Sequence, residues 1–502
     1  MDKQQAVLDI LPDHVDGKRD FMIFGHFLEH FHRQVYGGVY DPSSHLSDEN
    51  GFRRDVIEAL RKIRTPVIRW PGGCFVSAYP WKKGVGRRVP YYDKAWRVEE
   101  PNSFGTDEFV AFCRAVGAAP FICTNAGTGT AEDMSDWVEY CNLDIGEWAA
   151  QRMANGHAEP FNVRYWSIGN ENYGAWEMGA KTADEWARLV LESAKMMKRV
   201  DHRIELAIAS IPDLDWNAKA LREAGDLLDW ISIHGYWSRA SDEGVFEKGY
   251  DNIIARAFEP EERIVAVKHI LGSLGYLDKL RIAFDEWNLR GWCHPDFMSF
   301  GAADHALMDA NDINSNYNMA DAVFSACFLN SCLRHCDVVG MANFSPAVNT
   351  TGAIYTHEDG IVLRPTYHVF DLFANHSYED IVHSALRSPS FELETIDGET
   401  QSLPQLDAVV TRDPASGDVG ITLVNLHGAE AITCRIRGLG AGGWAGAMAR
   451  TLNGESADAY NDVDRPDAVS ISERRLSITD ASDFDVECPP HSVTALNLSE
   501  IS

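Results

Sequence analysis

The sequence is short of positive charge: 45 Lys and Arg stand against 75 Asp and Glu, a formal net charge of −30 at pH 7. A polyanion of that size repels phosphate backbones and anionic lipid, so neither nucleic acid nor a membrane is an expected partner. No apolar run approaches the ~20 residues needed to cross a bilayer. The ten cysteines form no CxxC pair and no regular framework, which in so large a chain points to reduced thiols. Cys327, Cys332 and Cys336 fall together where a helix runs into a strand, and are read as packing rather than as metal ligands. Residues 1–20 carry five aspartates and no apolar segment of the secretory kind, so the expected location is the cytoplasm. No internal repeat or low-complexity linker divides the chain.

What is present is globular: 502 residues, 45% hydrophobic and 24% charged, with room for two or three domains. Short β-rich runs at 21–25, 67–70, 120–124, 165–169, 205–210, 230–234, 281–285 and 338–343 alternate with helical patterns. The helices are expected at 53–64, 106–116, 182–200, 216–228, 262–276 and 314–335, with capped starts at Thr106 (with Glu108) and at Thr182 (with Glu185). Eight strands separated by helices favour an α/β chain built on a (β/α)8 TIM barrel. Beyond about Arg364 helical periodicity fades, and alternating runs at 408–412, 419–424 and 431–437 read as a C-terminal all-β sandwich, jelly-roll-like. The expected division is a barrel over 19–375 and a sandwich over 376–502, joined by a strand from 1–18.

Barrel enzymes place their chemistry at the C-terminal ends of the strands. Here those ends carry Glu29 (GHFLEH), Asn170 and Glu171 (WSIGNENYGAW), His234 and Tyr236 (ISIHGYW), and Glu286 (IAFDEWN). A lone strand-end glutamate is often only a solvated carboxylate. Two of them, on the fourth and seventh strands, are what a retaining glycosidase needs: one donates a proton to the leaving oxygen and the other attacks the anomeric carbon, the two carboxyl groups sitting ~5 Å apart. An Asn beside the acid is placed to bind the neighbouring sugar hydroxyl. Like charge on Glu286 is expected to raise Glu171 above the ~4.3 of a free glutamate. Arg69 reads either as the fork holding Glu286 or as a structural ion pair. Glu29 reads as a sugar ligand or as a salt-bridge partner of Arg33 or Arg69. His26, His30 and His32 are expected to diverge rather than share a metal. Among the strand-end tryptophans Trp81, Trp96, Trp176, Trp287 and Trp292, the favoured sugar platforms are Trp287 and Trp292.

The runs IFGHFLEHFHRQVYGGVYD, IRWPGGCFVSAYPWKKGVG, WSIGNENYGAW, ISIHGYW, FDEWN and RPTYHVFDLF together resemble the α-L-arabinofuranosidases of glycoside hydrolase family 51 over essentially the whole chain. The resemblance implies a cofactor-independent retaining enzyme, exo-acting on arabinofuranose-containing oligosaccharides, and a homo-oligomer, a hexamer. It places the acid/base on Glu171 and the nucleophile on Glu286. Glu29, Arg69, Asn170, His234 and Tyr236 fall on sugar-binding or carboxylate-orienting positions. Three departures surround the sugar: Cys74 stands where the family has Asn, Asn172-Tyr173 replaces Met-Asp, and Pro346 replaces a Gln. They leave open the same mechanism on another sugar (β-D-xylose, β-D-galactofuranose or a β-glucan), and a carbohydrate-binding protein on an inactive scaffold.

Overall fold

The structure is a computed structural model that describes residues 5–500 apart from 239, 241–243, 298, 300–302, 396–397, 399, 441–443 and 479. Residues 1–4 of the N-terminal strand expectation lie outside the described residues, as do 501–502. Eight parallel strands close into a barrel: Gly25–Phe27, Val67–Trp70, Ala119–Thr124, Tyr165–Ile168, Glu205–Ala209, Trp230–Ser238, Arg281–Arg290 and Val339–Phe344. The last strand returns to the first, with Asn343 opposite Gly25. Val67, Phe121, Ala207, Trp230, Ala283 and Met341 form one buried cluster. They come from six strands, which is how side chains fill such a barrel rather than leaving a pore.

The first strand starts later than its apolar run suggests. Asp20 accepts a hydrogen bond from the Met22 N–H, and Phe21–Phe24 winds into a 3-10 turn. The strand begins at Gly25, where a Cβ would lie 2.6 Å from Val67 and 2.9 Å from the Ala342 carbonyl oxygen. The Thr182 capping box is present. The helix Thr106–Val116 is instead capped at Gly105, whose N–H donates to Glu108, while the Thr106 hydroxyl accepts from the Trp137 indole. Helical order also does not end at Arg364: Pro365–His376 is a helix, with Pro at its start and Tyr367, Phe370 and Phe373 buried.

The β-rich part is one nine-stranded sheet in the order Ser470–Leu476, Trp444–Asn453, Ser492–Glu500, Val419–Asn425, Leu406–Arg412, Asp380–Arg387, Gln5–Lys18, Ile432–Arg437, Asp483–Cys488. Leu8, Val410, Leu423, Ile436, Val486 and Leu496 share one apolar core, so this single sheet folds over on itself to make the sandwich. Barrel and sheet meet at the helix Met319–Arg334, buried at every position from Met319 to Leu333. Its Asn330 and Arg334 both bond Asp407 of the sheet at 2.8 Å, and Cys327 and Cys332 pack within it. All ten cysteines are free.

Two imidazoles, one on the first barrel strand and one on the helix Pro365–His376, make stability acid-sensitive. His26 packs 4.6 Å from the Phe370 ring, and its Nε2 lacks a partner; burial holds it down to about 3, and His368 similarly to about 4. The unfolded chain protonates both near ~6.5. As pH falls below that value the unfolded state takes up protons that the fold refuses, so stability falls until the folded-state values are passed. Between about pH 7 and about pH 4.5, His26→Phe is expected to lose less of its thermal midpoint than the parent protein does. Equal losses would refute the assignment.

Candidate active site

Arg69, fully buried on the second strand, organises the C-terminal mouth. Its Nη1 donates to Glu286 Oε2 at 2.9 Å, its Nη2 to Asn170 Oδ1 at 2.8 Å, and its Nε lies 3.0 Å from Asp285 Oδ2. A guanidinium stays charged and offers donors in a fixed fork, so one side chain ties the second, fourth and seventh strands together.

Asp285 and Glu286 are consecutive yet both reach Arg69, which a regular strand forbids because neighbouring side chains face opposite ways. A bulge resolves this. Ala283 pairs with Ser232 but Glu286 with His234, and on the other flank Phe284 pairs with Ala342 but Trp287 with Phe344. The seventh strand thus carries one extra residue against both neighbours. Trp287 consequently faces away from the mouth. Its ring stacks on Phe328 with centroids 3.7 Å apart, and it is 0% exposed, so the expectation of a sugar platform at Trp287 is corrected.

Glu171 follows the fourth strand on a tight turn through Gly169 (φ 70°), with its own φ at 45°. Its Oε1 lies 2.8 Å from His234 Nδ1, and its Oε2 accepts from the Trp176 indole at 2.9 Å. Glu286 Oε1 accepts from the Tyr236 hydroxyl at 2.8 Å, and its Oε2 lies 3.4 Å from the same His234 nitrogen. Single ligand atoms of Glu171, His234 and Glu286 all lie within 4.8 Å of one another. One imidazole therefore bridges the two carboxylates.

The electrostatics follow from that bridge. Burial works against the imidazolium, but Glu286, Asp285 and Glu171 outweigh it and push His234 up to about 10. Burial would raise Glu171; the bonds from His234 and Trp176 prevail and hold it below the ordinary glutamate value. The expectation of a raised Glu171 is thus reversed, because the nearest charge is the imidazolium rather than Glu286. Glu286 lies above its ordinary value through burial, with His234 and Arg69 opposing.

Around the pair, Glu29 Oε1 accepts from the Phe75 N–H at 2.9 Å and the Trp96 indole at 3.2 Å. Its possible arginine partners are engaged elsewhere, Arg33 with Asp312 and Arg69 as above. Burial, then Glu286, pushes Glu29 well above the usual range. Cys74 is half-buried within 4.8 Å of both Glu171 and Glu177. Trp292 is partly exposed, stacked on Phe31 and edge-on to Tyr236. Trp176 is 41% exposed beside Glu171. Trp81 and Trp96 are buried. The three imidazoles of residues 26–32 diverge: His30 lies against Glu100 and Trp70, His32 against Asp312, and His26 in the wall.

Two residues escaped the sequence reading. Ser345 shares a 2.7 Å hydrogen bond with Tyr236, and its place just past the eighth strand was the available signal. Glu177 is buried, accepts from the Ser77 hydroxyl and the Asn170 amide, and is pushed up to about 7 by burial. Nothing in its spacing marks it out.

Comparison with known proteins agrees with this architecture. A family model described as α-L-arabinofuranosidase C-terminal domain matches residues 285–492, and another described as α-L-arabinofuranosidase 1 domain matches 59–252. α-L-Arabinofuranosidase C of Emericella nidulans is 33% identical over 86% of this chain and 87% of its own length. The intracellular exo-α-(1→5)-L-arabinofuranosidase of Halalkalibacterium halodurans is 32% identical over 83% and 84%. The crystal structure of the Thermotoga maritima α-L-arabinofuranosidase in complex with arabinose is 35% identical, covers 98% of this chain and 100% of its own, and superposes with a TM-score of 0.87. The GH51 α-L-arabinofuranosidase of Thermotoga petrophila gives the same identity and TM-score. The chain therefore belongs to the family 51 α-L-arabinofuranosidases.

Proposed function

We propose that the protein removes terminal α-L-arabinofuranosyl residues from arabino-oligosaccharides by double displacement with retained configuration. The observation that carries this is the pair Glu171 and Glu286, brought within 4.8 Å through His234, with Arg69 gripping Glu286. That spacing suits a retaining enzyme, whose two carboxyl groups sit ~5–5.5 Å apart. Glu286 attacks the anomeric carbon and forms the glycosyl-enzyme bond, while the glycosidic oxygen leaves with a proton from Glu171. His234 Nδ1, 2.8 Å from Glu171 Oε1, orients that carboxyl toward the glycosidic oxygen. Glu171 then takes a proton from water, whose oxygen displaces Glu286 from the sugar. Tyr236 and Arg69 hold Glu286 throughout. Asn170, Glu29 and Cys74 face the sugar, Trp176 and Trp292 flank the leaving group, and no cofactor is required.

The name of the Halalkalibacterium relative, an intracellular exo-α-(1→5)-L-arabinofuranosidase, supports exo action inside the cell, and we assign the protein to the cytoplasm with short oligosaccharides as substrates. We place the protein there as a homo-oligomer, on the family resemblance alone. Cys74 favours a second reading in which another sugar fits, because a thiol is a poor hydrogen-bond partner. A nitrophenyl glycoside panel separates them. The expected result is fastest cleavage of the α-L-arabinofuranoside, with the α anomer of arabinose formed first; faster cleavage of the β-D-xyloside or β-D-galactofuranoside would overturn it. Glu171→Ala is expected to slow oligosaccharides by orders of magnitude but dinitrophenyl arabinofuranoside far less, since that leaving group needs no proton. Equal slowing of both would remove Glu171 from the acid role.

A further inference from the structure

We propose that Glu177 is the positioning residue that aims the Asn170 amide at the sugar hydroxyl next to the anomeric carbon, making the pocket selective for furanosides that bear it. The inference rests on the arabinofuranosidase reading above and extends it to a residue outside the catalytic pair. Asn170 is held at both ends of its amide. The oxygen accepts from Arg69 at 2.8 Å, and the nitrogen donates to Glu177 Oε1 at 3.3 Å. Arg69 is wholly donor, so it orients the amide oxygen toward itself; Glu177 accepts from the nitrogen and fixes the opposite end. One N–H hydrogen and one oxygen lone pair of Asn170 are left for substrate.

Glu177 is itself fixed. It is 4% exposed, its Oε2 accepts from the Ser77 hydroxyl, and the Cys74 sulfur lies within 4.8 Å of its carboxylate. The aim of the Asn170 amide therefore depends on Glu177.

The test compares nitrophenyl α-L-arabinofuranoside with its deoxy analogue lacking that hydroxyl, using the full-length protein. Glu177→Ala is expected to lose roughly 10- to 100-fold in kcat/KM on the parent glycoside, the scale of a lost hydrogen bond to a buried polar partner. On the deoxy analogue the loss should stay within about 3-fold, because the contact that Glu177 aims is absent there. Glu177→Gln retains an acceptor for the Asn170 N–H and should restore most of the parent activity. Equal losses on both substrates overturn the proposal, as does a Glu177→Gln variant as poor as Glu177→Ala. If Glu177→Ala does not fold, Glu177→Leu, which fills the space without an acceptor, takes its place: a parent-to-deoxy ratio fallen toward that of Asn170→Ala is expected, and a ratio unchanged from the parent protein refutes the role. A parent protein inactive on both furanosides would instead sink the functional reading itself.

Discussion

Glu286→Ala is expected to lose hydrolysis by several orders of magnitude while still binding oligosaccharide, and added azide should restore turnover to a glycosyl azide of inverted configuration. The carboxylate removed is the one gripped by Arg69 and Tyr236, at 2.9 and 2.8 Å. Both donors remain in the variant, and they line a vacancy sized for a small anion on the face of the anomeric carbon that Glu286 occupied. Azide entering there attacks once and inverts. In Glu171→Ala, by contrast, azide acts on the glycosyl-enzyme bond and the product retains configuration. Mass spectrometry and NMR of the azide products distinguish the two. An inverted product from Glu171→Ala, with Glu286→Ala still active, would exchange the roles.

The second large effect is on folding. Arg69→Met leaves Asp285 and Glu286 buried, at 0% and 6% exposure, without the cation between them. Removing one partner of a buried ion cluster costs about 3–5 kcal/mol, far more than the cluster adds relative to an apolar replacement. The denaturant midpoint should drop accordingly, and activity should vanish with it, because Asn170 loses the donor that sets its amide. Arg69→Lys should recover part of the stability but little activity, since an ammonium cannot serve three acceptors in one plane. An unfolding free energy for Arg69→Met within about 1 kcal/mol of the parent would show that proton uptake or the His234 imidazolium suffices for the two acids.

The sequence showed the barrel because each strand is a short apolar run ending in a polar residue, as in 165–171 and 230–236. It misled at 21–24, where FMIF has strand-like composition but Asp20 caps a turn. It also misled at 365–376, where the helix begins with Pro and its apolar spacing lies close to the β-rich region. Trp287 shows a different kind of error. Adjacency to Glu286 suggested a shared surface, whereas strand geometry sends consecutive side chains apart. The bulge that exempts Asp285 from that rule is invisible in the sequence, since it appears only in the register against Ser232 and Ala342. The titration of Glu171 was misjudged for a related reason: His234 was placed at the mouth, but its distance from each carboxylate sets the sign, and that is a property of the closed barrel. Glu177 reaches Asn170 only because the loop after the fourth strand folds back.

The left-handed backbone at Glu171 has a consequence for anyone improving this protein. A non-glycine residue in that region costs of order 1 kcal/mol or more. Glycine at position 171 would relieve that strain. A variant library ranked by heat resistance alone would therefore reward the loss of the acid, and durable variants selected in that way would accumulate as inactive ones. Screens should keep turnover in the selection whenever residues 169–171 are varied.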